Sequence, residues 1–127
     1  MKTIRILIAD DHPVVREGLV GMLEGQSDFE VVGVADDGDR AVTLYDDLAP
    51  DVILMDLQMP GISGFEASSQ ITEFYKDKEN KPIIIALTAN AMKSSVDDGK
   101  KVGMSDYLLK PIKSETLKKV LMKYAAS

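Results

Sequence analysis

Residues 52–58 read VILMDLQ, and this stretch decides how the rest of the chain is interpreted. Four apolar residues run directly into Asp56. A short, nearly continuous apolar run is typical of a parallel strand that is buried on both faces of a sheet. Burial penalises a charged group unless it is paired. The presence of a carboxylate at the end of this strand therefore requires a specific explanation.

Four other short apolar runs resemble this one. The five predicted strands are IRILIA at 4–9, EVVGVA at 30–35, DVILM at 51–55, PIIIAL at 82–87 and DYLL at 106–109. Amphipathic stretches separate them, so the predicted order is βαβαβαβαβα. Strict alternation of this kind predicts right-handed crossovers and a parallel sheet that is covered by helices on both faces.

The stretches between the runs carry apolar residues at helical spacing. The four clearer patterns are Val15, Leu19, Met22 and Leu23; Ala41, Leu44, Tyr45 and Leu48; Phe65, Ser68, Ile71 and Tyr75; and Leu117, Val120, Leu121 and Tyr124. Pro13 and Gly25 are predicted to bound the first helix, and Pro50 to end the second. Ser114 is predicted to be the N-cap of the last helix.

Polar residues follow four of the apolar runs at the point where each run stops. These residues are Asp10 and Asp11, Asp56, Thr88 and Lys110. In a parallel sheet the carboxyl ends of all strands lie along one edge, where open α/β sheets bind their ligands. We therefore expect three carboxylates, one hydroxyl and one ammonium group to meet there.

Each of these residues alone has a simple structural explanation. Either aspartate of the first pair would cap the helix that follows it, Thr88 would form a turn, and Lys110 would be a solvated loop residue. Capping does not explain Asp56, because the next helix starts only after LQMPGISG. Since all five residues have the same position relative to their strands, the sequence favours a functional site.

The residue types at this edge predict the chemistry. Clustered carboxylates raise one another's pKa unless a cation joins them, and a few oxygen ligands open to water suit Mg²⁺. A zinc site is not credible, since the chain has no cysteine and a single histidine, His12, which is interpreted as a helix-start or surface residue. A metal-bound carboxylate beside an ammonium and a hydroxyl group predicts phosphoryl acceptance, with the acid as nucleophile.

Composition argues against several other classes of protein. The chain of 127 residues is interpreted as one domain, with 45% apolar and 28% charged residues. The formal net charge is −6 with a pI near 4.7, which disfavours nonspecific binding to nucleic acid or to an anionic membrane. No apolar run approaches the roughly 18 residues of a membrane span, and the first residues are a poor signal peptide, so a cytoplasmic protein is expected.

The motifs ADD (9–11), MDLQMPGISG (55–64), ALTA (86–89) and LKP (109–111) resemble those of response-regulator receiver domains of two-component signalling. The resemblance covers essentially the whole chain, 1–127. It implies a (βα)5, doubly wound, flavodoxin-like fold with five parallel strands in the order 2-1-3-4-5.

The resemblance also implies a role for each strand-end residue. Asp56 is the expected phosphoacceptor, and Asp10 and Asp11 are the expected Mg²⁺ ligands, one of them through water. Asp56 and the backbone carbonyl of Gln58 complete the expected metal ligands. Lys110 would contact the phosphoryl group, and the Lys110–Pro111 peptide is expected to be cis, which is tolerated only before proline.

A conformational switch follows from the same resemblance. Thr88 would bind a phosphoryl oxygen, and Tyr107 occupies the family's aromatic switch position. The stretch 91–102 predicts a lightly held helix, with few apolar anchors and an interior Gly99. Phosphorylation adds about −1.5 to −2 charges, and we expect it to change the face formed by 88–124. Gln58 and Asn90 occupy the positions that tune the rate of dephosphorylation in the family.

The implied partners are a histidine kinase or a histidine phosphotransfer protein, with a homodimer through the 91–124 face as a further expectation. An aspartate-nucleophile phosphohydrolase is an alternative, although that class carries a DxD motif where this chain has DLQ (56–58). A flavodoxin-like ligand-binding domain is another, although the chain lacks a GxxxxGK[ST] or GxGxxG phosphate-binding loop.

The two parts of the chain resemble different kinds of receiver. ILIADDHPVVREGLVGMLE and VVGVADDGDRAV are similar to receivers of helix-turn-helix transcription factors, whereas IIALTANAM and GMSDYLLKPI are similar to receivers of hybrid histidine kinases. This mixture favours a recombined or engineered composite chain joined near 50–60, with a natural intermediate between the two kinds of receiver as the alternative. The hypothesis is tested by comparing 1–50 and 61–127 separately, and the same nearest relatives for both parts would contradict it.

Overall fold

A computed structural model describes residues 3–78, 81–89 and 93–125. Strands and helices alternate along these ranges. The strands are β1 (Ile4–Ala9), β2 (Phe29–Ala35), β3 (Val52–Asp56), β4 (Ile84–Thr88) and β5 (Asp106–Leu109), and the helices are α1 (Pro13–Leu23), α2 (Gly38–Leu48), α3 (Gly64–Tyr75), α4 (Lys93–Lys101) and α5 (Ser114–Ala125). The predicted alternation of five strands with five helices is confirmed.

The five strands form one parallel sheet in the order β2-β1-β3-β4-β5. The flavodoxin-like order that the family resemblance implied is therefore confirmed. Strand order reverses between β1 and β3, since the chain leaves β1 toward β2 and then crosses to the other side. The carboxyl ends of β1 and β3 lie side by side at this reversal, where ligands bind in folds of this kind.

Two apolar clusters cover the two faces of the sheet. Alternate residues of the strands face opposite sides, so Ile6 and Ile8 pack with α1 and α5, whereas Leu7 and Ala9 pack with α2 and α3. Ile6, Leu7, Ile8 and Ala9 are all fully buried. This two-sided burial explains why β1 reads as a continuous apolar run, and it holds the carboxyl end of the strand rigidly.

Two strands extend further than predicted at their carboxyl ends. Asp56 is the last residue of β3 and pairs with Leu87, and Thr88 is the last residue of β4 and pairs with Leu109. The candidate site residues are thus held by the sheet ladder itself. The predicted start of β4 at Pro82 is wrong, because the strand begins at Ile84.

The predicted N-cap of α5 is also wrong, and the simple capping explanation for Asp10 and Asp11 does not apply. Neither Asp10 nor Asp11 is the N-cap of α1, since His12 holds that position and makes no side-chain capping hydrogen bond. Ser114 is the first helical residue of α5, because the Leu117 N–H donates to the Lys113 carbonyl at 3.0 Å and closes the first turn one residue earlier.

Helix α3 starts in close contact with the end of β3. The Gly64 N–H donates to the Leu57 carbonyl at 3.1 Å. A Cβ atom added at Gly64 would overlap the Asp56 carbonyl oxygen and would lie 2.8 Å from Leu57 Cα. The absence of a side chain here allows the helix to begin directly behind the candidate phosphoacceptor. Ser63 caps this helix by accepting from the Glu66 N–H at 3.2 Å.

Helix α4 contains Gly99 in its interior, as predicted, and residues 91 and 92 of the predicted helix lie outside the described residues. Within the described ranges, every helix is too short or too polar to traverse a lipid bilayer.

Candidate active site

Residues from three strand ends meet at the carboxyl edge of the sheet. Asp10 and Asp11 follow β1, Asp56 ends β3, and Lys110 follows β5. The ammonium nitrogen of Lys110 lies 3.0 Å from Asp10 Oδ2 and 3.4 Å from Asp56 Oδ1. The convergence expected from the strand-end pattern therefore occurs for these residues, which lie up to a hundred positions apart in the chain.

Asp10 is fully buried and receives three different contacts. Its Oδ1 accepts from the His12 backbone N–H at 2.8 Å, and its Oδ2 pairs with Lys110. Its backbone carbonyl accepts from the Arg16 guanidinium at 2.9 Å. The first contact forms a tight turn after β1, which keeps the carboxylate inside the site and accounts for its not capping α1.

Asp56 is 4% exposed. Its Oδ1 accepts from the Gln58 N–H at 3.3 Å, whereas its Oδ2 is buried and has no hydrogen-bond partner among the described residues. Burial raises the pKa of the Asp56 carboxyl, the Gln58 N–H lowers it, Asp10 raises it and Lys110 lowers it, with a net rise. One carboxylate oxygen of Asp56 is therefore held by a hydrogen bond, and the other has no such bond among the described residues.

Lys110 is positioned by backbone contacts. Its N–H donates to the Thr88 carbonyl at 2.8 Å, and the Lys110–Pro111 peptide is cis. Its side chain is only 18% exposed. Because the ammonium group reaches both buried carboxylates, it partly offsets the charge that they would otherwise leave uncompensated.

Thr88 and Tyr107 lie on the neighbouring strands β4 and β5. Thr88 is half-buried at the carboxyl end of β4. Tyr107 pairs with Ala86 in the ladder and is 39% exposed, so its ring lies outward. Gln58 is exposed immediately after β3, and Asn90 lies outside the described residues.

His12 belongs to the same cluster, which the sequence interpretation did not include. It lies at the start of α1 and its side chain is 61% exposed, as expected for a helix-start or surface residue. Its Nδ1 nevertheless lies 3.1 Å from Asp11 Oδ1 and 3.2 Å from Asp10 Oδ1. Only the adjacency of His12 to the ADD motif could have indicated this, because side-chain direction is not readable from spacing.

The donor set at this edge fits a hard divalent cation. Ligand atoms from Asp10, Asp11, His12 and Asp56 all lie within 4.8 Å of one another. Carboxylate oxygens dominate the set, and the partly exposed Asp11 leaves room for water, as Mg²⁺ requires. The buried Oδ1 of Asp11, which has no hydrogen-bond partner among the described residues, is a further sign of a site that a cation completes.

The raised pKa of Asp56 predicts the pH dependence of stability without divalent metal. A group whose pKa is raised in the folded state contributes stability that is present below its unfolded value, here 3.8, and that is lost as pH rises through the folded pKa. Asp56→Asn removes a charge that burial and the neighbouring Asp10 both destabilise, and it should therefore raise the unfolding temperature at neutral pH, by about 4 °C for each kcal/mol gained.

The measurement is thermal unfolding of both proteins with EDTA between pH 3 and pH 8. The difference between them should shrink toward acid pH, where Asp56 is protonated in both the folded and unfolded states. Asp47→Asn, on the exposed side of α2, controls for the change in net charge. A lower unfolding temperature for Asp56→Asn at neutral pH would contradict the prediction.

Comparison with known proteins places this geometry in a family. The sequence model of the response regulator receiver domain matches residues 6–122. The transcriptional regulatory protein YdfI of Bacillus subtilis is 47% identical over 113 residues, which make up 89% of this chain and 51% of YdfI. The chain thus spans about half the length of the curated relatives that it matches.

Solved structures give the same result. The receiver domain of the sensor histidine kinase PA1611 from Pseudomonas aeruginosa, with a magnesium ion coordinated in its active site cleft, is 33% identical with a TM-score of 0.85, over 99% of this chain and 100% of that one. The receiver domain of Ssk1 from Saccharomyces cerevisiae, in complex with the histidine phosphotransfer protein Ypd1, is 29% identical with a TM-score of 0.87. The match covers 96% of this chain and 88% of that one. This chain therefore belongs to the response regulator receiver domain family.

Proposed function

We propose that the chain accepts a phosphoryl group on Asp56 from a phosphohistidine of a histidine kinase or a histidine phosphotransfer protein. Receiver domains act as phosphoacceptors in two-component signalling. The observation that carries the assignment to Asp56 is its unpartnered Oδ2 at the carboxyl end of β3, with Lys110 Nζ 3.4 Å from Oδ1. The complex of Ssk1 with Ypd1 supports the donor class.

The roles of the other residues follow from their positions. Asp56 Oδ2 attacks phosphorus, forming a carboxyl–phosphate bond while the bond from phosphorus to the donor imidazole breaks, and the electron pair of that bond stays on the imidazole. Lys110 offsets negative charge on the transferred group. Asp10, Asp11, Asp56 and the Gln58 carbonyl would hold Mg²⁺, which supplies charge neutralisation at the phosphoryl oxygens.

The proposed switch uses the residues on β4 and β5. The Thr88 hydroxyl bonds a phosphoryl oxygen, and the space that it leaves is filled by the ring of Tyr107, which turns inward. The present exposure of Tyr107 supports this motion, because a ring that lies outward is able to rotate inward. The changed face comprises 88–124, and we propose that 91–124 is also the surface for a homodimer. Gln58 and Asn90 would set the lifetime of the phosphoryl group by orienting water.

Labelling with acetyl phosphate and Mg²⁺ tests the function. A receiver takes up one phosphoryl group per chain and then stops, and intact mass measures this directly. An aspartate-nucleophile phosphohydrolase would instead sustain turnover of unrelated phosphate esters. Uptake beyond one group per chain, or sustained release of phosphate from such esters, would contradict the proposal.

Mg²⁺ should stabilise the folded chain, because the carboxylate cluster exists only in the folded state. At a concentration one hundred times its Kd, the ion adds about 2.7 kcal/mol to the free energy of unfolding. Asp11→Asn should lose most of this gain, whereas Asp47→Asn should keep it. Thermal unfolding across a Mg²⁺ titration measures the three proteins, and equal gains in all three would contradict the assignment.

A further inference from the structure

His12 lies against the carboxylate cluster at the start of α1. It occupies the N-cap position of α1 but makes no side-chain capping hydrogen bond. Its Nδ1 lies 3.2 Å from Asp10 Oδ1, 3.1 Å from Asp11 Oδ1 and 3.9 Å from Asp56 Oδ2. One imidazole nitrogen thus faces three carboxylates at once.

Hydrogen bonding accounts for only part of this arrangement. The contact with Asp10 Oδ1 has hydrogen-bond geometry. The Oδ1 of Asp11 has no hydrogen-bond partner among the described residues, although the same nitrogen is 3.1 Å away. The Oδ2 of Asp56, which is buried and points toward this nitrogen, also has none. Two buried oxygen atoms near one nitrogen therefore lack a bonding partner.

A shared metal ion would give the His12 nitrogen and the Asp10 and Asp11 oxygens a common partner. In an octahedral site with bonds of about 2.1 Å, neighbouring ligand atoms are separated by about 3.0 Å. The distances from His12 Nδ1 to the Asp10 and Asp11 oxygens are close to this value. The nitrogen and the carboxylate oxygens lie within 4.8 Å of one another, which allows them to surround a single ion.

We propose that His12 Nδ1 is a ligand of this site and that the chain therefore binds imidazole-preferring divalent ions, of the class of Co²⁺, Ni²⁺ and Zn²⁺, in addition to Mg²⁺. This reverses the expectation from the sequence that a zinc site is not credible, because the single His12 lies beside three carboxylates. The inference rests on the proposed function only in using the same carboxylates. Imidazole nitrogen suits these ions, whereas Mg²⁺ takes oxygen ligands. The exposed ring allows His12 to leave the ion when Mg²⁺ is bound.

The test is the ratio of Co²⁺ affinity to Mg²⁺ affinity, measured by titration calorimetry on tag-free protein. Sites of this kind favour Co²⁺ in any case, so the informative quantity is the change in the ratio on substitution. His12→Gln should reduce the ratio of Co²⁺ affinity to Mg²⁺ affinity by about tenfold or more, which is a typical effect of losing a group that supports a metal. Val14→Ala, 81% exposed in the first turn of α1, is the control and should keep it.

A second readout identifies the nitrogen. The chain has a single histidine, so the imidazole ¹⁵N signals belong to His12 without further assignment. Adding Zn²⁺ should shift the Nδ1 signal, and adding Mg²⁺ should not. An unchanged affinity ratio in His12→Gln, or a Zn²⁺ titration that leaves Nδ1 unmoved, would overturn the proposal.

Failure of this inference is distinguishable from failure of the proposed function. If the wild-type chain takes up one phosphoryl group with Mg²⁺ while the affinity ratio is insensitive to His12, only the nitrogen ligand is wrong. If the ratio and the Nδ1 signal respond as expected while Asp56 takes up no phosphoryl group, the metal site holds and the phosphoacceptor assignment is wrong.

Discussion

Asp56→Asn is expected to abolish phosphoryl uptake from acetyl phosphate. The asparagine amide has nearly the shape of the carboxylate but lacks the charged nucleophilic oxygen, so the bond to phosphorus cannot form. The substitution leaves the buried Asp10 and its ion pair with Lys110 in place. The loss should therefore report the missing nucleophile, and intact mass after incubation with Mg²⁺ and acetyl phosphate measures it.

Two controls separate chemistry from charge and from folding. Asp47→Asn removes the same charge at an exposed position of α2 and should label like the wild type. The unfolding temperature of Asp56→Asn, expected to be higher without metal, shows that the variant is folded. The wild-type label should be released by hydroxylamine, as an acyl phosphate is. A hydroxylamine-sensitive label that persists in Asp56→Asn would place the acceptor on another carboxylate, such as Asp10 or Asp11.

The position of the site was predictable because strand ends are predictable. Asp56 and Lys110 each follow an apolar run, and parallel strands bring their carboxyl ends to one edge whatever their order. The order itself was not predictable from the runs. Periodicity indicates which segments are strands but not which strands are neighbours, and the order β2-β1-β3-β4-β5 came from the family motifs.

Side-chain direction and backbone approach were not predictable from spacing. His12 was correctly expected at the start of a helix, but the turn made by Asp10 Oδ1 and the His12 N–H is what directs its ring to the carboxylates. The close approach of Gly64 to Asp56 joins elements separated by a loop, so no local pattern indicates it. Both features depend on tertiary geometry, whereas pattern analysis detects only local periodicity.

That close approach makes Gly64 a position where a single methyl group should be strongly destabilising. A Cβ atom there would overlap the Asp56 carbonyl oxygen and lie 2.8 Å from Leu57 Cα. Both obstacles are backbone atoms, so the strain cannot be relieved by turning a side chain. Gly64→Ala should lower the free energy of unfolding by about 3 kcal/mol.

Gly21→Ala is the matched comparison, because it makes the same change inside a helix with the opposite expected sign. Gly21 lies in α1, and an added Cβ there meets no atom within 4 Å. Alanine should therefore stabilise the chain by about 0.5–1 kcal/mol through the unfolded state. Urea unfolding of both variants measures the difference. Since helix α3 starts against the Asp56 backbone, Gly64→Ala should also slow labelling by acetyl phosphate. Equal stabilities in the two variants would mean that the helix can move away from β3 without resistance.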